Sequence, residues 1–328
     1  MYDKYIIFCL LIFFTTFFIS KISYKLNLVD LPNRRKRHLK STAYTGGISI
    51  SLSFLIALKI FDINISELNL FITFGFLISI IGFVDDKYSL NTGGKLCLQI
   101  LPIYYLIVQK QIFLSTLGSY GNLSLTLGSF AIPFTLLCVL FLINAFNYFD
   151  GIDGLLSFST LSVLTILYFL SSNNVVNFFI IIISYCIIIF LIFNFAILGL
   201  PKLFLGDNGS LLLGFLISFI LIYFALKNIT PPILLAWSVS IFVYEFISVN
   251  LDRFFKKKEI FKPGLDHLHN FIFKKTKSLF LTNFYIVNLN FIFFIIGYLS
   301  FYYLNSIISL ILFIIIFFIF FIIRKKIS

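Results

Sequence analysis

Long apolar stretches alternate along this chain with short polar links. A helix crossing the hydrocarbon of a bilayer needs about 20 predominantly apolar residues. Eleven stretches approach that length, near residues 5–23, 45–62, 68–84, 95–110, 131–149, 155–171, 176–197, 210–227, 231–250, 280–303 and 305–323. Only Asn305 and Ser306 separate the last two. The pattern predicts an all-α, polytopic integral membrane protein with about 10–11 transmembrane helices, read as one transmembrane domain over residues 1–328. A membrane β-barrel would instead show short segments of strict alternation. Residues 110–130 differ: Gly118, Gly121 and Gly128 punctuate them, and Leu123, Leu125 and Leu127 alternate with polar neighbours, which favours a small hairpin.

Composition agrees. The chain is 60% hydrophobic and 12% charged, whereas a soluble domain is about half apolar and a quarter charged. The distribution of charge adds orientation. With alternating topology, all but four of the 25 Lys and Arg residues fall on one side, the exceptions being Lys4, Lys59, Lys110 and Lys227. The positive-inside rule makes that side cytoplasmic, with the N-terminus outside and the C-terminus inside. The net charge of +12 is thus accounted for by topology. Membrane lipids are expected partners and nucleic acid is not. The first span has no basic leader or A-x-A site and reads as uncleaved. Cys9, Cys97, Cys138 and Cys186 are scattered through apolar segments and read as core residues.

The candidate chemistry lies in the inner links. The stretch Asn144-Ala-Phe-Asn147-Tyr-Phe-Asp150-Gly-Ile-Asp153-Gly closes one span. Asp150 and Asp153 are three apart, so on a helical turn they would share a face. Acids beside hydrocarbon are costly and commonly mark function. Asp85 and Asp86 are adjacent and repel, so one needs a cation, a donor or a raised pKa. In Phe204-Leu-Gly-Asp207-Asn-Gly-Ser210 the acid opens an apolar helix. Asp207 or Ser210 can cap it, or its amides can meet a phosphate while the acid meets a cation. His267 and His269 form a His-x-His pair amid acids and lysines, and His38 and Lys40 lie in a basic first link suited to a phosphate or an anionic lipid head. Glu245, inside a span, reads equally as an interhelical hydrogen bond. Carboxylates without a thiolate cluster select Mg²⁺ or Mn²⁺, which takes its remaining ligands from substrate phosphates and water. The acids are expected to meet at the inner leaflet for phosphoryl chemistry between a soluble polyanionic donor and a lipid.

The motifs "DLPNRRKRH…TGG", "GFVDD", "NAFNYFDGIDGL", "FLGDNGS" and "DHLHN", in that order, resemble the polyprenyl-phosphate N-acetylhexosamine-1-phosphate transferases, relatives of the phospho-MurNAc-pentapeptide transferase. The resemblance implies transfer of a sugar 1-phosphate, most simply GlcNAc 1-phosphate, from a UDP-sugar to undecaprenyl phosphate in the bacterial inner membrane. UMP would be released, and the lipid-linked product would start a cell-surface polysaccharide such as O-antigen. It makes Asp207 the principal Mg²⁺ ligand, with Asp150 as a second. Asp85 and Asp86 would engage the acceptor phosphate. Asn147, Asp150 and Asp153 would line the nucleotide pocket, supported by Asn144. Phe204 would stack on uracil, His267 and His269 would contact the donor, and His38 and Lys40 would contact substrate phosphate. A homodimer is compatible with it. The chain departs from the family where Asn270 replaces the histidine that usually follows His269. "FVYEFISV" resembles the muramoyl branch, and "KPGLDHLHN" the N-acetylhexosamine branch. The rival readings are the muramoyl-pentapeptide transferase, a lipid or ion transporter, and a non-catalytic scaffold. A transporter should carry its ionisable groups near the bilayer midplane.

Overall fold

The computed structural model describes residues 2–32, 40–61, 63, 65–259 and 264–327. In chain order it contains α1 (Tyr2–Lys25), β1 (Val29–Asp30), β2 (Thr42–Ala43), α2 (Gly46–Ile60), α3 (Ser66–Tyr88) and α4 (Thr92–Tyr104), then a π-turn at Tyr105–Gln109. There follow β3 (Thr116–Tyr120), β4 (Leu123–Thr126), α5 (Ala131–Phe149), α6 (Leu155–Leu170), α7 (Asn174–Asn194) and α8 (Gly206–Leu226). The chain continues with α9 (Pro232–Ser238), α10 (Ser240–Phe255), α11 (Leu268–Thr276), α12 (Leu279–Tyr303) and α13 (Ser306–Ile327).

Every expected span has a helical counterpart. Among the described residues, seven helices are long and apolar enough to cross a membrane, and eight if the bent pair α9–α10 counts as one span. The shorter apolar helices α2 and α6 account for two more. The stretch near 95–110 is α4 run into the π-turn, with Pro102 inside the helix. The expected hairpin forms from β3 and β4, with the turn at Gly121 where φ is +61°.

The chain folds as two compact units, residues 1–102 with 173–217, and residues 103–172 with 218–328. In the first, α1, α2, α3 and α7 pack on one another. Their aromatic side chains interlock, with Phe8 edge-on to Phe61 and Phe13 tilted against Phe193. In the second, α12 packs on α6, α9, α10 and α13, and α10 packs on α5. Phe146 and Phe242 stack there with ring centroids 4.1 Å apart.

The stretch read as one span near 231–250 is broken. The chain bends by 70° between α9 and α10, at Val239. A break inside apolar protein strands backbone carbonyls, which need a partner because no water is present. Asn290 of α12 supplies one: its amide donates to the Ser238 carbonyl at 3.2 Å and to Ser162 Oγ at 3.0 Å. Asn290 is fully buried. The variant Asn290→Leu should lose roughly 1–2 kcal/mol of stability by stranding that carbonyl. A lowered melting temperature in detergent, with Asn288→Leu on the exposed side of α12 as the control, is the measurement that checks this.

Candidate active site

In the first unit, α3 delivers both acids of Asp85-Asp86, and they part company. Neighbours on a helix point about 100° apart, so the two carboxylates meet different partners. Asp86 faces the start of α8. Its Oδ1 accepts the Asp207 amide at 3.0 Å, and its Oδ2 accepts the Asn208 amide at 3.1 Å and the Asn208 side chain at 2.5 Å. The cap expected from Asp207 or Ser210 is therefore supplied by Asp86, from a helix more than a hundred residues away. A carboxyl acceptor there satisfies helix amides that have no partner within the helix. Those two amides are occupied by Asp86 rather than open to a phosphate.

Asn208 completes the junction. Its Nδ2 also donates to the Tyr44 carbonyl at 2.6 Å, and its Oδ1 accepts the Ile48 amide, near the start of α2, at 2.9 Å. The Gly46 and Gly47 amides reach the Phe204 and Leu205 carbonyls at 2.9 and 3.0 Å. The backbones cross so closely that a Cβ on Gly82 would lie 2.5 Å from Asn208 Cα, and one on Gly47 would lie 2.1 Å from the Gly209 nitrogen.

Asp85 faces the other way. Its Oδ1 accepts the Leu90 amide at 2.8 Å. Its Oδ2 lies 2.6 Å from the Lys95 ammonium, which is also 2.5 Å from Asp207 Oδ2. Two carboxylates from different helices thus share one cation. Asp207 is the more open, its side chain 33% exposed against 11% for Asp85. Phe204 carries the Lys202 ammonium 5.2 Å from its ring centroid. Lys40 is exposed, and His38 lies outside the described residues.

In the second unit, α5 ends at Phe149, and residues 150–154 form the turn into α6. Asp150 and Asp153 therefore do not share a helical face. They sit in a non-helical turn that Gly154, at φ +78°, closes. Asn283 of α12 holds this turn by donating to the Asp153 carbonyl at 2.9 Å. Asn144 donates to the Leu140 carbonyl of its own helix at 2.7 Å, and Asn147 is half-buried on the last turn of α5. Gly151 makes room for a histidine: a Cβ there would lie 2.1 Å from His269 Nε2. The third and fifth motifs thus meet in space.

His267 and His269 lie parallel, with centroids 5.4 Å apart, and Tyr148 stands edge-on to His267 at 5.1 Å. Both histidines and Asn270 are buried. Arg253 grips the neighbouring Asp266 carboxylate through Nε at 2.8 Å and Nη2 at 2.7 Å. That guanidinium holds the Asp266 carboxyl well below the usual range. Burial pushes the His267 imidazole down to about 4, despite the nearby Asp266 charge, with Arg253 and Arg324 adding to the depression. His267 is accordingly neutral at pH 7. An open cleft of about 620 Å³ borders this loop, lined by Arg253, Lys256, Lys257, Lys258, Asp266 and Phe271 among others.

The glycosyl transferase family 4 profile matches residues 68–225. The undecaprenyl-phosphate alpha-N-acetylglucosaminyl 1-phosphate transferase of Escherichia coli (strain K12) is 31% identical over 274 residues, covering 80% of this chain and 74% of that protein. The chain belongs to glycosyl transferase family 4. The Yersinia pestis protein of the same name is 31% identical over 265 residues, covering 79% of this chain and 73% of its own. The probable undecaprenyl-phosphate N-acetylglucosaminyl 1-phosphate transferase of Bacillus subtilis (strain 168) is 30% identical over 288 residues, covering 81% and 75%.

For this family member the donor set can be tested against a divalent metal. Among the described residues, no three His, Cys, Asp or Glu side chains converge to hold an ion unaided. Asp85 and Asp207 nevertheless already share a cation, the Lys95 ammonium. Two hard oxygen donors, one of them open, suit Mg²⁺, which usually binds through one or two carboxylates plus substrate phosphates and water. Sequence reasoning missed Lys95, Asn208 and Arg253. For Lys95 the sequence offers one signal, a lone Lys heading an apolar run.

Two outcomes follow from this geometry. Asp86→Ala should cost about 1–3 kcal/mol, because it removes the shared acceptor and strands helix amides; thermal melting in detergent measures it, with Lys87→Ala as the control. The pH dependence also has a definite sign. Between 6.5, the ordinary histidine value, and about 4, the unfolded chain takes up a proton that folded His267 refuses. His267 therefore favours folding fully above pH 6.5, and that contribution is lost as pH falls toward 4. Melting temperatures of wild type minus His267→Gln should fall across this window and level off below it.

Proposed function

We propose that this protein transfers N-acetylglucosamine 1-phosphate from UDP-N-acetylglucosamine to undecaprenyl phosphate, starting a lipid-linked cell-surface polysaccharide such as O-antigen. The observation that carries this is identity of 30–31% over about 80% of the chain with transferases named for that acceptor and that sugar phosphate. An oxygen of the acceptor phosphate forms a bond to the donor's β-phosphorus. The bond from that phosphorus to the bridging oxygen breaks, and UMP departs with the electron pair. The new product is a lipid-linked sugar pyrophosphate.

Asp207 and Asp85 are the residues that would hold Mg²⁺, which when bound neutralises phosphate charge and supports in-line displacement. Asp207, the more exposed, faces substrate. Lys95 balances the two acids. Asp86 positions Asp207 by fixing the backbone of the α8 N-terminus. In the second unit, His267 and His269 serve the donor, His267 as a hydrogen-bond partner rather than a fixed charge, since it is held neutral. Asp150, Asp153 and Asn147 serve the nucleotide, with Asn144 supporting Asn147 one helical turn along. Our reading places this chemistry on the cytoplasmic face of the bacterial inner membrane, N-terminus out and C-terminus in, where UDP-sugars are available.

Purified protein with undecaprenyl phosphate, Mg²⁺ and UDP-N-acetylglucosamine should release UMP and form the lipid pyrophosphate. No product from this donor, its epimers or UDP-MurNAc-pentapeptide would refute the assignment. Asp207→Asn should lower turnover by at least about 100-fold, exceeding a typical loss from an outer-shell metal-site residue, while the protein stays folded. Wild-type turnover by that variant would remove Asp207 from the site.

A further inference from the structure

The second unit contains a buried ion pair that the reaction itself does not use. Glu245 of α10 is 1% exposed, and Arg324, near the end of α13, is 2% exposed. Arg324 Nε meets Glu245 Oε2 at 2.9 Å. An apolar pair of similar volume would join these helices at least as well, because desolvating two charges usually consumes what their attraction returns. Helix packing alone therefore does not account for the pair.

Each group also makes a hydrogen bond to the backbone of one short segment. Glu245 Oε1 accepts the Leu268 amide, the first of α11, at 2.7 Å. Arg324 Nη2 donates to the Asp266 carbonyl. These two backbone groups flank His267. The guanidinium also lies over Phe271, 5.6 Å from its centroid. On the outer side, the Asp266 carboxylate is clamped by Arg253. The His267 ring itself is not held this way: its buried Nδ1 has no hydrogen-bond partner among the described residues and stands 3.9 Å from Glu245 Oε1. The pair grips the backbone and leaves the imidazole available.

We infer that Glu245 and Arg324 are positioning residues for the sugar-nucleotide donor: α10 and α13 together fix the chain on both sides of His267, and so set its ring parallel to that of His269, which packs on Gly151. This deepens the proposed function and rests on its placing of the two histidines at the donor. Neither Glu245 nor Arg324 touches substrate.

The test compares wild type, Glu245→Met/Arg324→Met, which removes both charges and the acceptor of the Leu268 amide at nearly constant volume, and Arg324→Lys, which keeps charge but loses the planar fork. Two readouts are taken in detergent: hydrogen exchange over residues 264–276, and steady-state kinetics with each substrate varied. The double variant should exchange the Leu268 region about tenfold faster, and donor KM should rise about tenfold, the effect of losing roughly one buried hydrogen bond. Acceptor KM should stay within about twofold, and Arg324→Lys should shift the same quantities less. Unchanged exchange overturns the inference whatever the activity. Faster exchange with unchanged donor KM, or equal loss toward both substrates, also overturns it. If the double variant does not fold, Arg324→Lys decides on the same two readouts. A wild type inactive with every UDP-sugar refutes the proposed function instead, and the exchange measurement still decides whether the pair holds the loop.

Discussion

Backbone polar groups inside apolar surroundings must find partners, and much of this structure follows from how its helix ends meet that demand. Water is absent from the hydrocarbon region, and an orphan amide or carbonyl there costs several kcal/mol. Three helix starts are satisfied by side chains from elsewhere in the chain. Asp86 takes two amides at the start of α8, Asn208 takes one near the start of α2, and Glu245 takes the first of α11. At the break between α9 and α10, Asn290 donates to the stranded Ser238 carbonyl. Each cap therefore also ties helices together.

This explains why two adjacent acids have different fates. Asp86 is spent on holding α8, and in doing so it fixes the backbone that carries Asp207. Asp85, its neighbour, reaches the same residue through a cation, the Lys95 ammonium. Repulsion between the pair is relieved by giving one carboxylate amide donors and the other a positive charge. The result is a partly exposed acid, Asp207, whose backbone and counter-ion are both set by the fold.

The histidine loop is built by the same logic with different parts. Gly151 lacks a side chain where the His269 ring packs, and Asn283 ties the turn that contains it. Burial keeps His267 neutral, while the adjacent Asp266 remains charged because Arg253 grips both of its oxygens. A neutral imidazole beside a saturated salt bridge is a hydrogen-bonding element rather than a charge. The nearby cleft mixes signs, with Lys256, Lys257 and Lys258 set beside Asp252, Glu259 and Asp266.

The amino-acid sequence by itself determined the helical membrane class, the approximate position of each long span and the hairpin at 110–130, because hydrophobic length and alternation are local properties. It also marked Asp85, Asp86, Asp150, Asp153, Asp207 and both loop histidines as chemically notable, because acids and imidazoles beside apolar runs are rare. What those residues do was decided by the tertiary structure. Nothing near Asp86 in the chain says that it caps a helix beginning at Gly206. Nothing near Lys95 announces Asp207, and nothing near Glu245 announces Arg324. The spacing of Asp150 and Asp153 suggested one helical face, yet the helix ends at Phe149, and Gly154 turns the chain in a left-handed conformation. Periodicity reports where a segment is apolar. Pairing across a hundred residues depends on which helix ends are brought together, and only the packed fold specifies that.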